Sequence, residues 1–284
     1  MENKSRTDII SDLQTKKKRV TYSLPTMEAC SDRGKLRQYQ EDGVLLLPHE
    51  GNVDFKLIAV ADGMGGLING GQASNLALLE LILWFEKLNP NYYQKESQLY
   101  LELEAKIKDI DAAISKKCGE GGTTLALAIT CQNNTLFVNI GDSRIYVHKN
   151  HSLDQISKDH SLCYELYEHG IIEEIDDMRF HRRNNIINSR LGGLTQMLKI
   201  EKVILQNTDY EQALLFTDGV TDCLSDRQLE KITNEQDSKL ARTIVDQALI
   251  TDSTNDYLDI SEYYPVVQGG KDNATAAVLK KVLK

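Results

Sequence analysis

The chain has 284 residues, of which 41% are hydrophobic and 26% charged, so it can bury a sizeable core and is neither disordered nor fibrous. The net charge of −9 argues against general binding to nucleic acid or to an anionic membrane. The five cysteines are odd in number and form no Cys-x-x-Cys pair, so neither a disulfide framework nor a zinc ribbon is expected. Without a signal peptide or a bilayer-length apolar stretch, we expect a cytoplasmic protein.

The chain begins with a polar, basic segment, and we interpret residues 1–20 as an N-terminal extension and residues 21–284 as one domain. Short apolar runs with turn signals at their ends then predict strands. Several of these runs scarcely alternate with polar residues, as is typical of strands covered on both faces. The predicted strands are Val44–Leu47, Phe55–Ala61, Thr123–Thr130, Thr135–Ile140, Ala213–Phe216 and Ala274–Leu279, with an earlier one near Val20.

Helices are predicted between these strands and near the C-terminus. The stretch from Asn75 to Leu88 is apolar on nearly all sides and predicts a buried helix, whereas the next helix is amphipathic. Ser225 and Gln228 have the spacing of a capping box, and a final helix follows them. The apolar positions of the amphipathic helix are Leu99, Leu103, Ile107, Ile110 and Ile114, and those of the final helix are Leu240, Ile244 and Ala248.

The segment from about residue 159 to residue 195 lacks regular apolar repeats, and we interpret it as a subdomain outside the core. It carries a basic cluster of Arg179, His181, Arg182 and Arg183. This cluster is either a solvated face or a surface that recruits acidic or phosphorylated substrates, and the sequence leaves both interpretations open.

Four aspartates each lie beside a glycine or an asparagine at the end or the start of a predicted strand. Any one of them is most simply a turn residue. Together, however, four carboxylates at a common sheet edge would repel one another unless a cation lay among them. Hard oxygen ligands without Cys or His favour Mg²⁺ or Mn²⁺ over Zn²⁺. The aspartates are Asp62, Asp142, Asp218 and Asp272.

In their order along the chain, the motifs around these residues resemble those of the PPM family, the metal-dependent type 2C Ser/Thr protein phosphatases, in their short bacterial form. The resemblance implies an α+β fold, a four-layer α/β/β/α sandwich of two antiparallel sheets flanked by helix pairs, with a flap subdomain at about residues 159–195. The motifs are Gly34–Asp42, Ala61–Gly66, Gly121–Thr124, Gly141–Tyr146, Ser157–Ser161, Ser189–Gly192, Thr217–Val220 and Asp272–Thr275.

The resemblance also implies roles for particular residues. Asp62 would bridge two metal ions, Asp142 would help to hold a third and weaker one, and Arg37 would bind the substrate phosphate. Asp42 and Asn273 would support the site. The implied metal ligands are Glu41, acting mainly through metal-bound water, Asp62, the carbonyl of Gly63, Asp142, Asp218 and Asp272, and the implied catalytic set is Arg37, Asp62, Asp218 and Asp272.

The expected activity is hydrolysis of phosphoserine and phosphothreonine by direct attack of a hydroxide that bridges two Mn²⁺ or Mg²⁺ ions. The expected partners are phosphoprotein substrates of a Ser/Thr kinase, and a monomer is expected. Two alternatives stay open, a phosphatase-like binding protein without catalysis and a phosphatase of small phosphorylated metabolites. The chain departs from the family pattern at Gln40, where the family has Asn, and at Met64, where many eukaryotic members have a His proposed as the general acid.

Overall fold

Two antiparallel β-sheets lie face to face at the centre of the fold. The computed structural model describes residues 17–65, 69–93, 96–193, 197–235, 238–254 and 266–281. Its strands are β1 (Arg19–Leu24), β2 (Met27–Asp32), β3 (Gly43–His49), β4 (Asn52–Ala61), β5 (Gly63–Met64), β6 (Gly122–Thr123), β7 (Leu125–Cys131), β8 (Asn134–Ile140), β9 (Arg144–Lys149), β10 (Ser152–Gln155), β11 (Glu201–Gln206), β12 (Gln212–Phe216), β13 (Ser253–Thr254), β14 (Val266–Val267) and β15 (Ala274–Lys280).

One large sheet has the strand order β1-β2-β15-β12-β9-β10, and the other has the order β11-β8-β7-β4-β3. The strands β5 and β6 form a small separate pair, as do β13 and β14. The helices are α1 (Asn69–Phe85), α2 (Glu96–Lys117), α3 (Leu162–Glu168), α4 (Asp218–Thr221), α5 (Asp226–Asn234) and α6 (Leu240–Ile250).

The helices cover the outer faces of the two sheets. Helices α1 and α2 pack on the five-stranded sheet, whereas α5 and α6 pack on the six-stranded sheet. The resulting order of layers is helix, sheet, sheet, helix, which confirms the predicted α/β/β/α sandwich. None of the described helices combines the length and the apolar character that a membrane-spanning segment requires.

Strand β12 shows why the predicted strands scarcely alternate in hydropathy. Its side chains point alternately to the two faces of the sheet, as in every strand. Ala213 and Leu215 belong to the core that includes the space between the sheets, whereas Leu214 and Phe216 pack with residues of α6 such as Ile244. Both faces are buried, so an uninterrupted apolar run is favoured at every position.

The predicted strands are confirmed, with ends that differ by a few residues, except that Thr123–Thr130 is divided: Thr123 belongs to β6, which pairs with β5, and β7 begins at Leu125. The first helix begins at Asn69 rather than Asn75, because a glycine-rich stretch that reads as a turn is incorporated into its first turns. The α-helix ends at Phe85 rather than Leu88, and the amides of Lys87 and Leu88 donate to carbonyls three residues back.

Polar side chains obscured two further strands: β2 buries Glu28, Ser31 and Asp32, and β9 buries Arg144 and His148. Strands β10 and β11 also went unpredicted.

The capping box at the start of α5 is present as expected. Ser225 Oγ accepts a hydrogen bond from the amide of Gln228 at 3.2 Å, and the amide of Ser225 donates to Gln228 Oε1 at 2.8 Å. These bonds satisfy two backbone donors that the first helical turn leaves free. They fix the start of α5 beside the segment that connects it to α4.

The segment of residues 159–193, called the flap below, has a small core of its own formed by Cys163, Ile172 and Met178. It contains α3 and a 3₁₀ helix, Ile175–Phe180. One isolated bridge, Ser161 with Ile187, joins the two ends of the flap to each other, and a second, Leu191 with Thr123, joins the flap to β6. Most of the predicted extension, residues 1–16, lies outside the described residues, and the domain boundaries stay a prediction.

Candidate active site

The predicted site residues meet in an open cavity of about 380 Å³ where the ends of both sheets come together. Two of the aspartates come from each sheet: Asp62 and Asp142 follow β4 and β8, whereas Asp218 follows β12 and Asp272 precedes β15. Among the residues that the structure describes, no histidine or cysteine lines this cavity. Its predicted members are Arg37, Glu41, Asp62, Gly63, Asp142, Asp218, Asp272 and Asn273.

The clustered carboxylates repel one another and so raise one another's pKa values. Burial raises the pKa of Asp62 well above its usual range, and the charges of Asp218, Asp42 and Asp272 raise it further. Burial and the charge of Asp272 raise the pKa of Asp218 to about 6. The pKa of Asp142 is also raised, first by burial and then by the charge of Asp218. The protein's own cations therefore compensate this cluster incompletely, and a bound cation would stabilise it.

The donor set fits a divalent metal ion. Asp142 has only 8% of its surface exposed, and its Oδ1 has no hydrogen-bond partner among the described residues. The same is true of Asp218 Oδ1, which is also buried. Buried carboxylate oxygens without a donor suit the hard cations Mg²⁺ and Mn²⁺. Within the described ranges, however, no three acidic, His or Cys side chains stand in a ready-made ligand arrangement, so side chains would have to turn toward an ion.

Arg37 lies at the rim of the cavity and is about half exposed. Its Nη2 donates to Asp272 Oδ2 at 2.6 Å, while Asp272 Oδ1 accepts from the amide of Asn273 at 2.8 Å. A guanidinium group has five N–H donors, so this pairing leaves others for a phosphate in the cavity. A metal ion at Asp272 would compete with Arg37 for Oδ2.

Asn273 holds the loop that carries Arg37 and Glu41. Its Oδ1 accepts from the amide of Glu41 at 2.7 Å. Its Nδ2 donates to the carbonyls of Arg33 at 2.9 Å and Tyr39 at 3.0 Å. Three contacts from one buried side chain thus fix the loop relative to β15.

Asp42 lies beneath the cavity, 3% exposed, at one end of a chain of polar side chains. Its Oδ2 accepts from Thr217 Oγ1 at 2.9 Å and from Thr275 Oγ1 at 2.6 Å. Burial raises its pKa to about 7, although these hydrogen bonds oppose the shift. The chain continues through a hydroxyl contact of 2.7 Å between Thr275 and Ser31, whose Oγ accepts from Gln40 Nε2 at 2.8 Å. The longer amide of Gln40 is thus accommodated by this network.

Gly63 is required by close packing between β5 and the start of α1. A Cβ atom at this position would lie 2.2 Å from the carbonyl oxygen of Gly70 and 2.7 Å from that of Glu41. A Cβ at Gly70 would in turn lie 2.6 Å from Glu41 Oε1. The two glycines therefore let the loop, the strand and the helix meet at the predicted ligands.

The flap contributes two cavity residues that the sequence did not indicate, Asn185 and Ile187. Neither lies in a charge pattern or a periodic run that would have signalled it. Met64 also lines the cavity. His160 accepts from the amide of Gly141 at Nδ1, and burial followed by the charge of Lys199 lowers its pKa to about 4, so it is neutral at physiological pH.

The basic cluster of the flap divides into two parts. Arg182 and Arg183 are exposed, so only they are free to meet a macromolecular substrate. His181 is buried and its Nδ1 lies 3.4 Å from Cys163 Sγ. Arg179 is partly buried and faces Asp222, an acidic residue one helical turn after Asp218 that was not singled out from the sequence. A spacing of four residues on a helix is the signal that would have found Asp222.

Comparison with known proteins gives consistent matches. The profile of the protein phosphatase 2C family matches residues 38–252, well over half of the chain. The serine/threonine phosphatase Stp of Listeria monocytogenes is 29% identical over 270 residues, covering 89% of this chain and 94% of that protein. The crystal structure of the Mycobacterium tuberculosis serine/threonine phosphatase PstP/Ppp is 26% identical with a TM-score of 0.68, covering 89% of this chain and 97% of that one. Stp1 from Staphylococcus aureus, 24% identical, shares the fold with a TM-score of 0.74, covering 92% of this chain and 96% of that one.

Proposed function

The chain belongs to the protein phosphatase 2C family, and on that premise we propose that it hydrolyses phosphoserine and phosphothreonine in proteins with Mn²⁺ or Mg²⁺ bound at the carboxylate cluster. The observation that carries the proposal is the convergence of Asp62, Asp142, Asp218 and Asp272, from four separate parts of the chain, in one open cavity beside Arg37. Such a cluster serves no packing purpose, because buried carboxylates without compensating charge destabilise a fold.

The residue roles are part of the proposal. Asp62, Asp218 and Asp272, with the carbonyl of Gly63, would hold two ions, while Glu41 would act through water. Asp142, together with Asp218, would hold a third ion. Bound divalent ions would supply positive charge for the phosphoryl oxygens and lower the pKa of water at the site.

Arg37 is proposed to bind the phosphate of the substrate. Its position at the rim lets it reach a phosphoryl group that enters from solvent, and its planar fork suits two phosphate oxygens. Asn273 keeps the loop of Arg37 in place, so the arginine is presented to the cavity at little further cost in entropy. The described lining offers no cysteine nucleophile, which fits a direct attack of water on phosphorus.

The location and the partners are further proposals. The five cysteines are all buried and none of them forms a disulfide, which supports a reducing, cytoplasmic environment. The substrates are proposed to be products of a Ser/Thr kinase, and a monomeric state stays a prediction.

The test is phosphate release from a phosphothreonine peptide with Mn²⁺, with and without EDTA. We expect turnover in the parent that EDTA abolishes and that Asp272→Ala lowers by at least about 100-fold, since it removes a proposed metal ligand and the hydrogen-bond partner of Arg37. Asp154→Ala, which removes an exposed carboxylate that does not line the cavity, is the matched control. A folded, Mn²⁺-loaded parent that releases phosphate from small metabolite phosphates but not from peptides would contradict the substrate class. A folded parent without turnover on either would contradict the proposed activity.

A further inference from the structure

A second arginine, Arg179 of the flap, lines a small cavity that also reaches Asp142 and Asp218 of the carboxylate cluster. It lies in the 3₁₀ helix Ile175–Phe180, and its guanidinium carbon is 4.7 Å from the centre of the Phe180 ring. Its Nε and Nη1 atoms are buried and have no hydrogen-bond partner in the described parts of the chain. Burying N–H donors without an acceptor is unfavourable. Attraction between the guanidinium and nearby charges must therefore offset this cost.

Those charges are acidic. Arg179 lines a small cavity of about 20 Å³ together with Asp142, Asp218 and Asp222. Burial and the charge of Asp218 raise the pKa of Asp222 well above its usual range, while the charges of Arg144 and Arg179 lower it. The cavity has room for about one water molecule or a similar small species. Arg144 lines the same cavity but is paired with Asp159 at 2.8 Å, whereas the guanidinium of Arg179 places its positive charge beside Asp222.

Contacts between the flap and the segment from α4 to α5 hold Arg179 in this place. Asn184 Nδ2 donates to Asp222 Oδ2 at 3.0 Å and to the backbone carbonyl of Arg179 at 3.3 Å. Asp176 Oδ1 accepts from the amide of Asp226 at 3.1 Å, at the start of α5. The position of the arginine thus depends on whether the flap is docked.

We propose that Arg179 is an internal cation that opposes metal binding at Asp142 and Asp218, so that the docked flap keeps this third metal site weak. The inference rests on the proposed function, which assigns a metal ion to the same pair. Asp142 and Asp218 each present a buried Oδ1 without a partner, so the pair has oxygens to offer a cation. A guanidinium fixed at the same cavity repels that cation, and this repulsion is strong where water is largely excluded.

The test is Mn²⁺ binding at pH 7.5, measured by calorimetry and by electron paramagnetic resonance, in the parent and three variants. Arg179→Gln is expected to tighten the weakest Mn²⁺ site by about tenfold or more, because the repelling charge is gone. Arg179→Lys retains the charge and is expected to keep that site weak. Arg182→Gln removes the same charge from an exposed position of the flap and is expected to leave Mn²⁺ binding unchanged.

Unfolding temperature gives a second measurement, which separates this role from a merely structural one. In EDTA, Arg179→Gln is expected to lower the unfolding temperature, because the carboxylates lose a counter-charge. At saturating Mn²⁺ the difference should vanish, since the ion then supplies that charge. An equal loss of unfolding temperature under both conditions would indicate packing alone and would overturn the inference.

The binding data have further outcomes that decide the matter. If Arg179→Gln leaves the affinity of the weakest Mn²⁺ site unchanged or lowers it, the inference is overturned. It is also overturned if neither the parent nor Arg179→Gln binds a third Mn²⁺ ion. These results leave the proposed function intact, because the parent would still bind Mn²⁺ at its tighter sites and release phosphate. A folded parent that binds no Mn²⁺ would instead overturn the proposed function and the inference together.

Discussion

Asp218→Asn is expected to stabilise the metal-free protein while abolishing its response to Mn²⁺. Burial, and then the charge of Asp272, raise the pKa of Asp218 from 3.8 to about 6. At about 1.4 kcal/mol for each pKa unit, this shift corresponds to roughly 3 kcal/mol of lost stability when the pH lies above both values. The amide keeps the shape of the side chain and is able to donate a hydrogen bond to Asp62. In EDTA at pH 7.5, the variant should therefore exceed the parent in unfolding free energy by up to about 3 kcal/mol.

The sign of the pH dependence follows from the direction of the shift. Between pH 3.8 and about 6, folded Asp218 binds its proton more tightly than unfolded Asp218. The stability of the parent therefore falls as the pH rises through this window, and it stays low above it. The advantage of Asp218→Asn should accordingly be small near pH 4 and fully developed at pH 7.5.

The assay is urea unfolding of parent and Asp218→Asn at both pH values, in EDTA and in MnCl₂. An ion that binds only the folded state at 100 times its dissociation constant adds about 2.7 kcal/mol. The parent should gain this stability and the variant should gain little. The difference in unfolding free energy between them should therefore shrink or change sign in MnCl₂. Asp154→Asn, at an exposed carboxylate, is the control and should behave as the parent does. If Asp218→Asn were less stable than the parent in EDTA at pH 7.5, the electrostatic reasoning would be refuted.

Three further predictions concern the loop, the buried network and the flap. Gly63→Ala places a methyl group 2.2 Å from a carbonyl oxygen of α1, so Mn²⁺-dependent phosphate release should fall at least about tenfold, and normal turnover would show that the close approach is dispensable. Thr275→Val removes a donor to buried Asp42 and should lower the unfolding free energy by about 1–3 kcal/mol in urea titrations; no loss would mean that the contact is energetically neutral. Removing the charges of Arg182 and Arg183 should raise KM for phosphoproteins and spare an aryl phosphate, whereas equal KM values in variant and parent would leave these arginines as a solvated face.

Local sequence patterns predicted most of the fold because buried strands and helices have characteristic runs and periodicities of apolar residues. The run from Ala213 to Phe216 is apolar at every position since the sheets cover one face of β12 and the helices cover the other. Strand β2 lacked such a run, because Glu28 pairs with Lys280 and Ser31 joins the network of Asp42. Buried polar residues of this kind depend on partners far away in sequence, which periodicity does not reveal.

The site shows the same division between local and distant determinants. Each strand-end aspartate was visible from its turn, but their convergence depends on how two sheets pack. The support that Asn273 gives to the amide of Glu41 joins residues 232 positions apart, and it entered the prediction only through a family resemblance. Asn185 and Arg179 carried no local signal that linked them to the aspartates, because the flap reaches the site through its docking contacts.

The carboxylates are held by the core whereas the flap is not, and this difference bears on which substrates the protein accepts. The carboxylates come from ends of strands buried in both sheets, so their positions are tied to the core and change little without unfolding it. The flap has only a small core of its own, formed around Cys163, and it meets the cavity through Asn185 and Ile187. Substitutions at the exposed surface of the flap therefore have room to alter which phosphoproteins are accepted while the carboxylate cluster is retained. A small aryl phosphate, which reaches the carboxylates without meeting the flap's exposed arginines, should be indifferent to such changes.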